Sequence, residues 1–246
     1  MLWAVGGYRW VGLWRWASRL CLCLVFAIGI GIVFRQGWIP ARYTPLPKLD
    51  LARTFPILVD WQLAELRSDR ELCRAVTEKS PHIKSRVARS RPIVGGCGWT
   101  NALRVREIGG AKIGIRRVSC EVGAALALWM THDVQPLALK IFGKRIAHVQ
   151  NFGTYSCRNI VGSRFWKTRR SQHATANAID ISGFRLSDGT RISVLVDWQG
   201  SRKKSQFLRA IHQRACKYFR VALSPDFNRA HRDHFHFDRG MLSTCR

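Results

Sequence analysis

Acidic side chains are scarce in this sequence. Its 246 residues hold 15 Asp and Glu against 41 Lys and Arg, a formal net charge of +26. Past residue 34 the excess is still +23. Such a surface seeks polyanions: nucleic acid, anionic lipid headgroups or an anionic wall polymer. With so few carboxylates, an acid inside a tight motif stands out. A C-x-x-C pair is also missing, although there are eight cysteines, so a zinc ribbon and a thioredoxin-like motif are excluded. There is no internal repeat, and no low-complexity tract outside one proline-rich stretch. Charged residues make up 23% and hydrophobic ones 47%, which argues against wholesale disorder and allows a substantial core.

The run Leu20 to Phe34, LCLCLVFAIGIGIVF, is uncharged and apolar. With Trp16 to Arg19 it approaches the ~20 residues that span a bilayer. Arg9, Arg15 and Arg19 precede it, and Trp3, Trp10, Trp14 and Trp16 suit a membrane interface. No A-x-A-like site follows, so residues 1–35 are expected to form an uncleaved single-pass anchor with the rest exported, a cleaved signal peptide being the alternative. Cysteine usage agrees. Cys73, Cys97, Cys120, Cys157, Cys216 and Cys245 are dispersed beyond the apolar run, and up to three disulfides are expected in an oxidising compartment. Fifteen pairings are possible.

Pro40, Pro45, Pro47 and Pro56 mark residues 36–56 as an extended tether, leaving 57–246 as the domain. Helices are predicted from Val59 to about Lys79, over Gly123 to Met130, and from Lys203 to Phe219. Residues 80–97, basic and broken by Pro81, Pro92, Gly95 and Gly96, read as a loop. Strand-like runs are Lys112 to Val118, Ile146 to Phe152, Ala178 to Phe184, Ile192 to Val196 and His234 to Asp238. Ser187-Asp188-Gly189 signals a hairpin turn. Without a regular βαβ alternation the expected class is α+β.

Four of eight histidines fall in two short blocks. The first is Ser171-Gln-His173-Ala-Thr-Ala-Asn-Ala-Ile-Asp180, the second His231-Arg-Asp233-His234-Phe-His236-Phe-Asp238. On a strand, residues two apart point the same way, so His234 and His236 share a face. A loop folding back onto the Ala178 to Ile181 strand can bring His173 to Asp180. Two imidazoles and a carboxylate suit Zn2+, and three protein ligands leave a fourth position for water, whose pKa then falls to about 7. A structural metal clip is the blander alternative. Ser171 has no evident base, so its expected role is to hydrogen-bond within the loop carrying His173. Trp166 and Trp198 fit either a groove or the core.

The first block resembles the S-x-H-x-x-G-x-A-x-D motif of D-alanyl-D-alanine carboxypeptidases, murein endopeptidases and hedgehog signalling domains. The second resembles the H-x-x-H-x-H block of penicillin-insensitive murein endopeptidases. The closer likeness, from about Pro56 to Arg246, is to the bacterial extensin-like C-terminal domain family. It runs through Cys97-Gly98, the Cys120 to Trp129 helix, Tyr155-Ser-Cys157-Arg158-Asn159, SQHATANAIDISGF and SPDFNRAHRDHFHFD. The resemblance implies a small antiparallel sheet flanked by helices, with His173, Asp180 and His236 as zinc ligands. It makes His231 the general base and His234 the stabiliser of the tetrahedral intermediate. Arg158 would hold a substrate carboxylate or oxyanion.

Two positions depart from the motifs. Ala176 stands where the motif has glycine, which a methyl group tolerates only away from positive φ. Asp233 stands where the carboxypeptidase branch has glutamate; it is the second choice as base and is expected to point away from His236. Asp238 is a candidate to orient an imidazole. The implied protein is a zinc peptidase of the inner membrane with its domain in the periplasm, acting on peptidoglycan, or else an inactive zinc-containing wall-binding module. The charge alone prompts a nuclease, but the export signals oppose it, and no nucleic-acid partner is expected.

Overall fold

The computed structural model describes residues 7–39, 41–162, 165–200 and 202–246. Trp3 and Pro40, assigned above to the interface and the tether, lie outside them. The chain opens with helix α1 (Gly7–Arg35), followed by α2 (Val59–Glu65), α3 (Arg70–Thr77) and strands β1 (Ile83–Val87), β2 (Arg91–Val94), β3 (Cys97–Trp99), β4 (Ala102–Ile108) and β5 (Ala111–Ser119). Helices α4 (Cys120–Trp129) and α5 (Gln135–Phe142) join through a wide turn at Met130–Val134. Then come β6 (Ile146–Gly153), β7 (Ala178–Leu186), β8 (Arg191–Ser193), α6 (Val194–Asp197), α7 (Lys203–Ala215), β9 (Val221–Leu223), β10 (Phe235–Asp238) and β11 (Thr244–Cys245).

Nine strands form one sheet in the order β1-β4-β5-β6-β7-β10-β9-β11, with β8 also on β7. The expected small antiparallel sheet is therefore corrected to a large mixed one. The reason lies in the connection α4–α5. It carries the chain across the sheet, so β6 returns parallel to β5, with Lys112 opposite His148. All ten residues of α4 are buried, which is why its sequence shows no polar face. Ser119 caps it by accepting from the Val122 amide at 3.2 Å. Phe235 and Phe237 point from β10 into the core, where Phe237 meets Trp129 at 5.3 Å and Phe219 at 4.8 Å between ring centroids. Trp198 packs there too, 5.5 Å from Phe235, so it belongs to the core and not to a groove.

Other boundaries moved for local reasons. The predicted helix from Val59 breaks after Glu65, because the Asp69 side chain accepts from the Leu72 amide at 2.8 Å and starts α3. Residues 80–97 are not a loop: β1 and the β2–β3 hairpin form there, with basic side chains on the solvated face. The last predicted helix stops at Ala215. The run Ile192 to Val196 is strand only to Ser193, whose hydroxyl caps α6. The turn at Ser187–Gly189 does join two antiparallel strands, β7 and β8.

The six dispersed cysteines pair as Cys73–Cys120, Cys97–Cys157 and Cys216–Cys245, leaving Cys21 and Cys23 free. Among the described residues one helical segment, Trp14–Arg35, is long and apolar enough to cross a membrane. Residues 36–56 do not stand free as a tether. Leu49 and Leu51 join the core, and the Gln62 side chain donates to the Pro47 carbonyl at 2.7 Å.

A buried ionic network ties the ends of this fold together. Arg239, just past β10, is 1% exposed and donates to Glu121 at 2.7 Å and Asp60 at 2.8 Å. Arg220 donates to Asp60 at 2.9 Å, and Arg67 to Glu121 at 2.9 Å. Burial pushes the Asp60 carboxyl up, but the Arg220 and Arg239 guanidiniums outweigh it and hold the pKa down at about 2. A carboxyl whose folded pKa is depressed stabilises the fold above its unfolded value of 3.8 and loses that contribution as pH falls toward 2. After allowance for its partial exposure, Asp60 should account for about 1–2 kcal/mol of the stability lost between about pH 5 and about pH 2. Urea unfolding at both pH values checks this: Asp60→Asn should be less stable at the higher pH and lose less on acidification. An equal acid loss in both proteins would contradict it.

Candidate metal centre

The pairing of β7 with β10 sets the site. Their antiparallel register places His236 directly opposite Asp180. Alternation along the strands sends Ile179, Ile181, Phe235 and Phe237 into the core and leaves Asp180 and His236 on the other face, in a cavity of about 560 Å³. His173 arrives on a short 3-10 turn, Gln172–Thr175. The Ser171 hydroxyl accepts from the His173 amide at 3.3 Å, as expected for the loop.

Three donor atoms converge. His173 Nε2 lies 3.1 Å from Asp180 Oδ1 and 3.2 Å from His236 Nδ1, and His236 Nδ1 lies 2.9 Å from Asp180 Oδ1. Tetrahedral zinc with bonds of about 2.0–2.1 Å needs its ligand atoms about 3.3 Å apart. Two nitrogens and one oxygen, already gathered at nearly that spacing and partly buried, fit the ion in chemistry and in separation.

Carboxylates orient the imidazoles. Asp238 Oδ2 sits 3.0 Å from His236 Nε2, so Nδ1 is left facing the cluster. Asp238 Oδ1 accepts from the Gly240 amide at 2.8 Å. A Cβ at Gly240 would stand 2.7 Å from the Gln172 side-chain amide, so a larger residue there would have to displace Gln172. Burial pulls the His236 pKa down, but hydrogen bonds to Asp180 and Asp238 prevail and raise it to about 9. Burial pushes Asp180 up, and the bonds from His173 and His236 outweigh that, holding it far below the usual carboxylate range.

His234 and His231 border the cluster. His234 Nε2 is 3.6 Å from Asp180 Oδ1, and its Nδ1 is 2.8 Å from Asp233 Oδ1. Asp233 thus engages His234 and does not face His236. The His231 ring lies tilted 5.3 Å from that of His234 and edge-on 5.8 Å from that of His236 between centroids, and its Nδ1 meets Asn228 Oδ1 at 2.7 Å. Burial first, then the neighbouring His236 and His234 and Arg158, lower the His231 pKa to about 4, so it is neutral at pH 7. Asn228 escaped the sequence reading; its signal was an Asn three residues before a His, the pattern of a capped short turn.

Arg158 lines the same cavity, half-buried, on a loop closed by the Cys97–Cys157 disulfide. Two backbone bonds clamp that loop to the histidine turn: Ser171 N to Arg158 O and Ser156 N to His173 O, each 3.1 Å. Trp166 lines the cavity as well. Ala176 follows the turn with φ 55, the one positive φ outside glycine among the described residues. The condition set for a methyl group there is not met. The left-handed conformation costs roughly 1–2 kcal/mol, and it persists because the Ala176 amide and carbonyl are both bonded, to His173 O and Ser119 N.

The family model described as Extensin-like protein C-terminus matches residues 71–246, which include all of these side chains. No curated protein and no solved structure matches the chain.

Because Asp238 fixes which nitrogen of His236 faces the cluster, Asp238→Asn should weaken zinc binding about 10- to 100-fold with the fold intact. Competition titration with a chromophoric chelator measures it. Unchanged affinity would show that Asp238 does not orient a ligand.

Proposed function

The chain belongs to the extensin-like C-terminal family, and from that premise we propose that it is a zinc peptidase acting on peptidoglycan stem or cross-link peptides. In this reading α1 is a single-pass inner-membrane anchor and the domain lies in the periplasm, where its positive charge favours the anionic wall. The observation that supports it most is the meeting of His173, Asp180 and His236 on the wall of one cavity, with two more imidazoles beside them.

Zinc held by these three side chains supplies Lewis acidity, bringing the pKa of water down to about 7. The chain's own groups do the rest. His231, kept neutral by burial and positive neighbours and held by Asn228, is ready to accept a proton from attacking water. His234, fixed by Asp233, is placed to donate toward charge developing on the carbonyl oxygen. The Arg158 guanidinium in the cavity wall can hold a substrate carboxylate in a bidentate pair.

A second reading has its own support. Among the described residues no glutamate lines the cavity, Asp233 is committed to His234, and Ala176 replaces the motif's glycine. These favour a wall-binding module that holds zinc without turnover.

Sacculus digestion separates the two. The full chain should release muropeptide fragments, EDTA should stop release, and zinc should restore it. His173→Ala should abolish release, and His231→Ala should lower kcat by about a hundred- to ten-thousand-fold. Zinc-loaded protein that binds sacculi yet releases nothing would establish the module instead. Undiminished cleavage by folded His173→Ala would remove the metal from the mechanism.

A further inference from the structure

The end of α1 is locked to the wall of the histidine cavity. Arg35, its last residue, donates to the Ser243 hydroxyl at 2.5 Å and to Asp60 at 3.4 Å, and its carbonyl accepts from Arg220. Ser243 and Thr244 line both the cleft beside Arg35 and the cavity holding the histidines. Two further contacts stiffen the join. Arg67 donates to the Gln36 carbonyl at 3.0 Å, and Gly37 passes so close to α2 that a Cβ would stand 2.1 Å from the Ala64 carbonyl oxygen. The domain therefore begins within two residues of the helix end.

This fixes a height above the membrane. Trp14–Arg35 has 22 residues. At 1.5 Å per residue it spans about 33 Å, close to the ~30 Å hydrocarbon thickness, so Arg35 reaches the headgroup layer. That layer is only about 5–8 Å deep on each side. A wall hydrogen-bonded to Arg35 cannot stand clear of it.

The wall is suited to that place. Met241 and Leu242, beside Ser243, are 64% and 56% exposed, an apolar pair left largely open to solvent. Arg169 and Arg170 line the same cavity and are exposed. Its two carboxylates among the described residues, Asp180 and Asp238, are both committed to imidazoles. An apolar tip next to unneutralised arginines is the pattern that inserts into an anionic interface.

We propose that the mouth of the histidine cavity rests on the bilayer crossed by α1, with Met241 and Leu242 inserted among the headgroups of an anionic leaflet. The proposal rests on reading α1 as the anchor, and not on zinc or turnover.

The test uses the full chain with Cys21→Ser and Cys23→Ser, a nitroxide on the thiol of Leu242→Cys, and nanodiscs of phosphatidylcholine and phosphatidylglycerol. Val196, exposed on α6 and outside the cavity lining, is the reference through Val196→Cys. The label at 242 should be several-fold less accessible to an aqueous nickel chelate, and more accessible to oxygen, than the label at 196. Met241→Cys gives a second reading if Leu242→Cys misfolds. Equal nickel accessibility at both sites would overturn the proposal, as would a chain that leaves the discs. Shielding that appears only with several chains per disc would also overturn it, since a second copy would then be the cover. An enzymatically silent protein leaves the result unaffected.

Discussion

The registration of β10 against β7 is the constraint on which the site depends. Cross-strand neighbours in an antiparallel pair hold their Cβ atoms about 4.5–5.5 Å apart, and here that pair is His236 and Asp180. A slip by one residue would turn every side chain of β10 over, drawing His236 into the aromatic core and pushing Phe235 and Phe237 into the cavity. The packing of Phe237 on Trp129 and Phe219 opposes that slip. Core burial and site geometry are thus one interaction seen from two faces of the sheet.

The same strand is fixed at its far end. Arg239 follows Asp238 directly and is almost fully buried between Glu121 and Asp60. Removing one partner from a buried pair of this kind costs about 3–5 kcal/mol, because the remaining charge stays desolvated. In a chain with 15 acids, placing two of them on one arginine confines that arginine to a single position. His173 is held differently, through a loop. The Cys97–Cys157 disulfide, two backbone bonds and the bonded Ala176 hold a turn that local propensity alone would not keep.

Much of the site was legible in the sequence, and the reasons are local. Period-2 spacing put His234, His236 and Asp238 on one face, and the structure joins His236 to Asp238 at 3.0 Å. A loop returning to the Ala178 to Ile181 strand was one way to bring His173 to Asp180, and the Gln172–Thr175 turn places them 3.1 Å apart. What escaped was non-local or set by one side chain. The parallel pairing of β5 and β6 depends on where a crossover helix packs, which hydrophobic spacing along β5 does not encode. Basic residues hid β1 and the β2–β3 hairpin, because charge on a solvated strand face reads like a loop. Asp69 and Ser193 ended predicted elements through single capping bonds. Residues 36–56 looked like a tether because prolines dominate their pattern, while Leu49 and Leu51 carry the packing.

The central claim is that His173, Asp180 and His236 hold one divalent cation between them. Zinc K-edge absorption fine structure on the purified full chain tests it most directly. The account predicts one zinc per chain, with two imidazoles and otherwise only oxygen ligands at about 2.0–2.1 Å. In His236→Ala the imidazole scattering should fall to that of one ring, or the zinc should be lost altogether. Sulfur ligands, or a zinc shell unchanged in His236→Ala, would contradict it.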